Sequence, residues 1–291
     1  MPATVPSALP PDATPVARPI AVALVRVPVA PMLAEPRVSS AQLSQTLFGH
    51  VAWVVDEHAE WRRLRTLDDY EGWTHRGYLE LLDDAELLSG LTGAGAGVGE
   101  STLGAGFDGP LPCLSLGCTV AAGARRLRLP AGAWVHAEQE VLDGEAVPFA
   151  RVAERFPRRR EALAASAAAL WEGTSYQWGG VTPWGADCSG FVQALAGVHG
   201  IALPRDAWQQ ALVGHPVAGG VAAADAGDLL FFSDRDDGRV THVGLALGGG
   251  RMAHLALGRG GWAVDDLADS NDPYVARLRA TCVGARRIGG D

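Results

Sequence analysis

Lysine is absent from the 291 residues, so each of the 24 basic side chains is an arginine. Neither a Schiff-base lysine nor a phosphate-loop lysine exists, which removes the enzyme classes built on them. Cysteine is scarce as well, with 4 in the chain. That is too few for a disulfide framework, and Cys113 and Cys118 are too widely spaced and too isolated for a zinc knuckle, so a reducing compartment fits better. Long apolar runs are missing. The best one, residues 20–25, is stopped by Arg26, far short of the ~20 residues needed to cross a bilayer. The first 16 residues carry repeated prolines, and no basic start leads into an unbroken apolar stretch and cleavage site. The expectation is therefore a soluble, cytoplasmic protein with no membrane partner, export by another route being left open. A net charge of −9 repels phosphate backbones. The one basic run, residues 151–160, shares its arginines with Glu154 and Pro157, which argues against a nucleic-acid partner.

What is present is ample apolar material, 48% of residues, enough for two or three compact domains. Residues 1–19 read as a flexible leader without period. Short β-rich pieces follow at turn-like spacing, over 21–29, 42–48, 51–55, 61–66 and 72–78, a succession that favours a small barrel. Within it, the Leu47-Phe48-Gly49 segment, Glu60-Trp61-Arg62-Arg63-Leu64, Tyr70-Glu71-Gly72-Trp73-Thr74 and Gly77-Tyr78-Leu79 resemble a bacterial Src-homology-3-like barrel. Residues 91–109 are glycine-rich and read as a linker. A second β-rich stretch then contains Gly132-Ala133-Trp134-Val135, an echo of Gly72-Trp73-Thr74. The expected organisation is a barrel over 20–82, a second over 92–148 and a catalytic domain over 150–291, with a single barrel plus a long extension as the alternative.

The chemistry concentrates in the last of these. Pro157 is expected to open an alanine-rich helix that stops at Gly173. Asp187-Cys188-Ser189-Gly190-Phe191 begins a second helix over 188–198, with Phe191, Val192, Leu195 and Val198 on one stripe and Gly200 past its end. Strands are expected over 228–232, 241–247, 251–257 and 262–264. A helix bearing a cysteine against an antiparallel sheet bearing histidines is an α+β, papain-like arrangement. At the first turn of its helix Cys188 meets unpaired N–H groups, which lower a thiol pKa from ~8.5 to between ~3.5 and ~7.5 and offer an oxyanion site. The bland reading of Cys188 is a small buried core residue. His242, Gly244 and Ala246 share one strand face, and Val243, Leu245 and Leu247 the other, the obvious core face. A hairpin centred on Gly248 pairs His242 with His254, whereas centring on Gly249 sets them diagonally; both registers leave the two rings on one face. A lone strand histidine is usually structural, and a zinc site is the remaining reading, disfavoured because no closely spaced pair with a fourth ligand is evident.

Tyr176-Gln177-Trp178-Gly179-Gly180, Asp187-Cys188-Ser189-Gly190-Phe191, Leu203-Pro204-Arg205-Asp206, Gly227-Asp228-Leu229-Leu230-Phe231-Phe232 and Thr241-His242-Val243-Gly244 together resemble the NlpC-type cysteine peptidases of bacterial cell walls. The nearest likeness is to γ-D-glutamyl-L-diamino-acid endopeptidases that carry such barrels. The resemblance implies Cys188 as nucleophile, His242 as base and acid, and His254 as its orienter, with no cofactor and no metal. It further implies that Asp187 and Ser189 line the substrate site, Asp187 holding the free amine of an N-terminal L-alanine, and that Tyr176 and Trp178 flank the nucleophile. Tyr70 resembles the barrel tyrosine that limits substrates to free N-termini. For Tyr176 and Trp178 the alternative is core packing; for Tyr70 it is a turn. Where relatives often place glutamate, this chain has His50. Asp206 and Asp228 are assigned to structure. The implied substrate is a murein peptide, L-Ala-γ-D-Glu-diaminopimelate or its lysine counterpart, met in peptide recycling. Rivals are an amidase or acyltransferase on another acyl donor, and a non-catalytic peptidoglycan-binding module.

Overall fold

The computed structural model describes residues 19–82, 113–136 and 139–289. Nearly all of the expected leader, the glycine-rich linker and the start of the expected second barrel lie outside them. The first unit has β1 (Ala21–Val25), β2 (Val29–Leu33), β3 (Gln42–Leu47), β4 (Val51–His58), β5 (Trp61–Arg65), β6 (Glu71–His75) and β7 (Leu79–Leu82) in one antiparallel sheet, ordered β3-β2-β6-β5-β4-β1-β7. One buried cluster draws Ala23, Met32, Val54, Leu64 and Leu79 together from strands across this order. The sheet is therefore folded over onto its own core. The single strand expected over 21–29 is two, because Pro28 has no N–H to continue a ladder and the chain turns between Val25 and Val29.

The second unit comprises β8 (Cys113–Leu116), β9 (Thr119–Ala122), β10 (Arg125–Arg128), β11 (Ala131–Val135), β12 (Val141–Asp143) and β13 (Ala146–Pro148), in two three-stranded sheets, β10-β9-β12 and β11-β8-β13. Its core is shared. Val120, Leu129, Ala133 and Val135 pack with Leu47 and Phe48 of the first unit and with Val181 downstream, so all three regions bury apolar surface together.

The third unit begins with α1 (Phe149–Arg155) and α2 (Arg160–Trp171). Pro157 does not open α2: it makes a turn that accepts from the Arg159 N–H, and the helix starts three residues later. Gly173, at φ +83°, ends it as expected. The short pair β14 (Val181–Thr182) and β15 (Gly185–Ala186) leads into α3 (Cys188–Val198), and α4 (Ala207–Gln210) follows. The sheet consists of β16 (His215–Pro216), β17 (Leu229–Phe232), β18 (His242–Gly248), β19 (Arg251–Ala256), β20 (Gly261–Asp266) and β21 (Cys282–Arg287), ordered β16-β21-β17-β18-β19-β20, with α5 (Pro273–Ala280) before its last strand. Leu229, Phe231, Val243, Leu245 and Leu255 face α2 and α3. Leu230, Phe232, Ala246 and Met252 face Leu267 and Leu278 on the other side. Both faces of the central strands are thus buried, not one as the alternation alone suggested. The small residues on the His242 face make room for this second layer: a Cβ on Gly244 would lie 2.3 Å from Met252 Sδ.

Candidate active site

The backbone around Cys188 is fixed by its predecessor. Asp187 caps α3 in extended conformation, accepting at Oδ1 from the Gly190 N–H (2.7 Å) and at Oδ2 from the Gly179 N–H (2.8 Å). This draws the 179–180 loop onto the helix tip so closely that a Cβ on Gly190 would sit 2.1 Å from the Gly180 carbonyl oxygen. Arg205, 2% exposed, closes the same carboxylate in a fork, Nη1 to Oδ1 at 3.0 Å and Nη2 to Oδ2 at 2.7 Å. Two further donors reach Ser189 Oγ (2.9 Å) and Ser44 Oγ of the first unit (3.0 Å). The Ser189 hydroxyl also donates to Asp187 Oδ1 at 3.2 Å. Five donors therefore saturate Asp187, and the carboxylate expected to hold a substrate ammonium is already committed to Arg205 and the helix cap.

Cys188 is 7% exposed. Burial pushes its thiol up to about 12 and the Asp187 carboxylate adds to this, against the opposing pull of backbone hydrogen bonds at Val243 and Ser189 and of Arg205. The expected acidic cysteine is not what the fold provides, because the electropositive helix tip is capped by a carboxylate and shut off from water. The backbone contact is informative in itself, since it places the sulfur against β18 one residue beyond His242.

β18 and β19 bring the histidines together. The observed register pairs Leu245 with Ala253 and Ala246 with Met252, then slips at Gly248. The hairpin is therefore centred on Gly249, and His242 and His254 are diagonal neighbours on one face. His242 Nε2 lies 2.8 Å from His254 Nδ1, with ring centroids 5.0 Å apart at 67°. His254 is fully buried, and its Nε2 lies 3.0 Å from Asp265 Oδ2 on β20. Burial, then the His254 ring beside it, lowers His242 to about 3. Burial alone would raise Asp265, but its hydrogen bonds with His254 and Arg259 hold the carboxyl below its usual value. Asp265 escaped the reading of the sequence. It lies within a strand that was expected to stop at Val264, and only the extension to Asp266 puts it on the histidine face, two residues from the partner of His254, Ala263.

The remaining candidates take distinct places. Tyr176 is half-buried against the core of the third unit, and burial, with Cys188 nearby, raises its phenol far above the usual range. Trp178 is 68% exposed, which rules out core packing, and its carbonyl accepts from Gln42 of the first unit at 3.0 Å. Tyr70 bridges the units: its hydroxyl donates to Asp206 Oδ1 at 3.2 Å, and burial followed by the Asp206 charge pushes it up to about 12. Asp206 also accepts from Trp208 Nε1 at 3.2 Å. His50 is turned away toward the second unit, with Nε2 3.0 Å from the Gly132 carbonyl oxygen. Asp228 is fully buried under Arg287, a structural role as expected. Both nitrogens of His254 are spent on hydrogen bonds, and among the described residues no group of three or more His, Cys, Asp or Glu could hold a metal ion. No helix of the described residues is long and apolar enough to cross a membrane.

Residues 173–275, which contain Cys188, His242, His254 and Asp265, match the NlpC/P60 family. This segment is an NlpC/P60 domain. A γ-D-glutamyl-L-lysine dipeptidyl-peptidase of Bacillus subtilis (strain 168) is 40% identical over 115 residues, covering 35% of this chain and 38% of the relative. An enzyme of the same name from Bacillus cereus is 40% identical over 86 residues, 29% of this chain and 25% of the relative. The chain thus spans well under half the length of these two relatives. A crystal structure of an NlpC/P60 family protein from Bacillus cereus superposes over 92% of this chain and all of that one with TM-score 0.68 at 17% identity. That likeness carries the fold across the units upstream of the NlpC/P60 domain as well as through it.

Proposed function

We propose that the protein is a cysteine peptidase that hydrolyses the amide between the γ-carboxyl of D-glutamate and a diamino acid in short murein peptides bearing a free N-terminal L-alanine. The observation that carries this reading is the ordered pair His242 on β18 and His254 on β19, 2.8 Å apart, with β18 also contacting a cysteine at a helix tip through Val243. As the Cys188 sulfur attacks the γ-carbonyl, its proton passes to His242, and N–H groups at the start of α3 hold the oxyanion. The imidazolium of His242 then protonates the leaving amine, giving a thioester. Water attacks the thioester, His242 takes its proton, and the thiol is restored. Starting from thiol and neutral imidazole, this cycle needs no standing thiolate, in keeping with the burial of both groups.

Preference for a short, free-ended peptide is supported by the first unit. We read it, and the second unit after it, as Src-homology-3-like barrels, the first closing one end of the cleft through Tyr70–Asp206, Ser44–Arg205 and Gln42–Trp178. With Asp187 saturated, Asp206 is the carboxylate at this closed end that remains half-exposed beside Tyr70. A carboxylate and a phenol oxygen suit an alanine ammonium. The γ-D-glutamyl-L-lysine activity for which the two Bacillus relatives are named supports the γ-D-glutamyl bond. The test is incubation of L-Ala-γ-D-Glu-diaminopimelate and its lysine counterpart, each with free and acetylated alanine, followed by mass analysis, with Cys188→Ala as control. Release of the diamino acid from the free peptides alone is expected. Equal cleavage of acetylated peptides overturns the amine requirement, and cleavage of none overturns the substrate.

A further inference from the structure

His254 orients His242, yet an imidazole in a network can carry its proton on either nitrogen, and which one decides whether His242 is a base toward Cys188. What lies beyond His254 settles this. Asp265 is 7% exposed and His254 fully buried. An ionised carboxylate only accepts hydrogen bonds, so the 3.0 Å contact from His254 Nε2 to Asp265 Oδ2 puts the proton of neutral His254 on Nε2. His254 Nδ1 is then an acceptor. Across the 2.8 Å contact, His242 Nε2 must be the donor, which leaves Nδ1 of His242 with its lone pair free.

Resting on the catalytic reading above, we infer that Asp265 is a positioning residue that acts through His254 to fix His242 in the Nε2–H tautomer, keeping its Nδ1 as the base available to the Cys188 thiol. Asp265 is itself clamped. Arg259 Nη2 donates to Oδ1 at 2.8 Å, stacks 4.4 Å over the Tyr274 ring, and pairs with Asp272. Asp272 accepts from the Tyr274 N–H at 2.8 Å, which ties the clamp to the start of α5. Tyr274 in turn lies 6.1 Å from the His254 ring, centroid to centroid. The other carboxylate near His242 is Asp234, exposed and engaged by Thr241 Oγ1 at 2.9 Å and Arg277 at 3.3 Å. Phe232 packs on the His242 ring from β17, and Cys188 approaches from α3. Asp265 is thus the one acceptor in this set that touches the far nitrogen of His254.

Nitrogen-15 spectra of the histidines in the full-length wild-type protein between pH 6 and 8 test this without a variant or a substrate. Nε2–H is expected for both His242 and His254, and Nδ1–H on His242 overturns the inference. In Asp265→Asn the amide can donate to His254 Nε2, so both tautomers are expected to invert. Iodoacetamide labelling of Cys188 at neutral pH should slow, and kcat on the tripeptide should fall roughly 10²- to 10³-fold with KM within about twofold, as expected for a mis-set general base. An unchanged tautomer with kcat within about threefold overturns the proposal. Failure of wild-type protein to cut the peptide, with the tautomers as stated, refutes the substrate assignment and leaves the proton arrangement standing.

Discussion

Replacing Arg205 by methionine tests whether the buried ion pair holds the helix tip. The guanidinium supplies both fork bonds to Asp187, at 2.7 and 3.0 Å, and single bonds to Ser189 at 2.9 Å and Ser44 at 3.0 Å. Methionine keeps much of the volume but leaves a carboxylate that is 6% exposed without a counter-charge. Removing one partner of a buried pair costs about 3–5 kcal/mol because the other charge is stranded. Here the Gly179 and Gly190 amides still solvate Asp187, so the lower end, about 3 kcal/mol, is expected. For a chain of this size that is a fall in Tm of roughly 6–12 °C. Asp187→Asn in the same background removes the stranded charge, so the double variant should lose about 1–3 kcal/mol less than the sum of the singles. Urea and thermal unfolding of the four proteins measure both quantities. A drop of under about 2 °C in Arg205→Met, or strict additivity in the cycle, refutes the view that this pair is coupled and costly to break.

Two helical glycines should respond oppositely to alanine. Gly190→Ala meets the Gly180 carbonyl at 2.1 Å and is expected to lose about 1–3 kcal/mol together with Cys188 labelling, whereas Gly197, with nothing within 4 Å of its Cβ position, should gain up to about 1 kcal/mol from helix propensity; urea midpoints check both. Burial holds His50, His199 and His242 below the ordinary histidine value. Below about pH 6.5 the unfolded chain takes up protons that the fold refuses, so this stability is complete above that pH and is lost as pH falls toward the folded values, His242 alone contributing about 1 kcal/mol between pH 7 and 5.5. Urea midpoints that rise on acidification across that window contradict this.

Much of the helix carrying Cys188 was legible before any coordinates, because its determinants are local. Phe191, Val192, Leu195 and Val198 form an apolar stripe, and Gly200 follows at φ +68°; α3 runs over Cys188–Val198, the limits expected. The common face of His242 and His254 was equally legible, since strand parity survives either register. The histidine-bearing hairpin was harder. Gly248, Gly249 and Gly250 all adopt positive φ, and with three such residues in a row the chain alone does not select a turn centre.

The sequence by itself therefore determined the residue types, the limits of α3 and the shared histidine face, all of which follow from neighbours along the chain. Tertiary structure decided the rest. The centring on Gly249 depends on how β19 seats between β18 and β20. The joining of Asp265 to His254 depends on pairing across strands. The saturation of Asp187 needs Arg205, held from the far side by Ser44 of another unit. The thiol is raised and not lowered because desolvation depends on everything packed around Cys188, and a helix tip read alone carries no record of what will cover it.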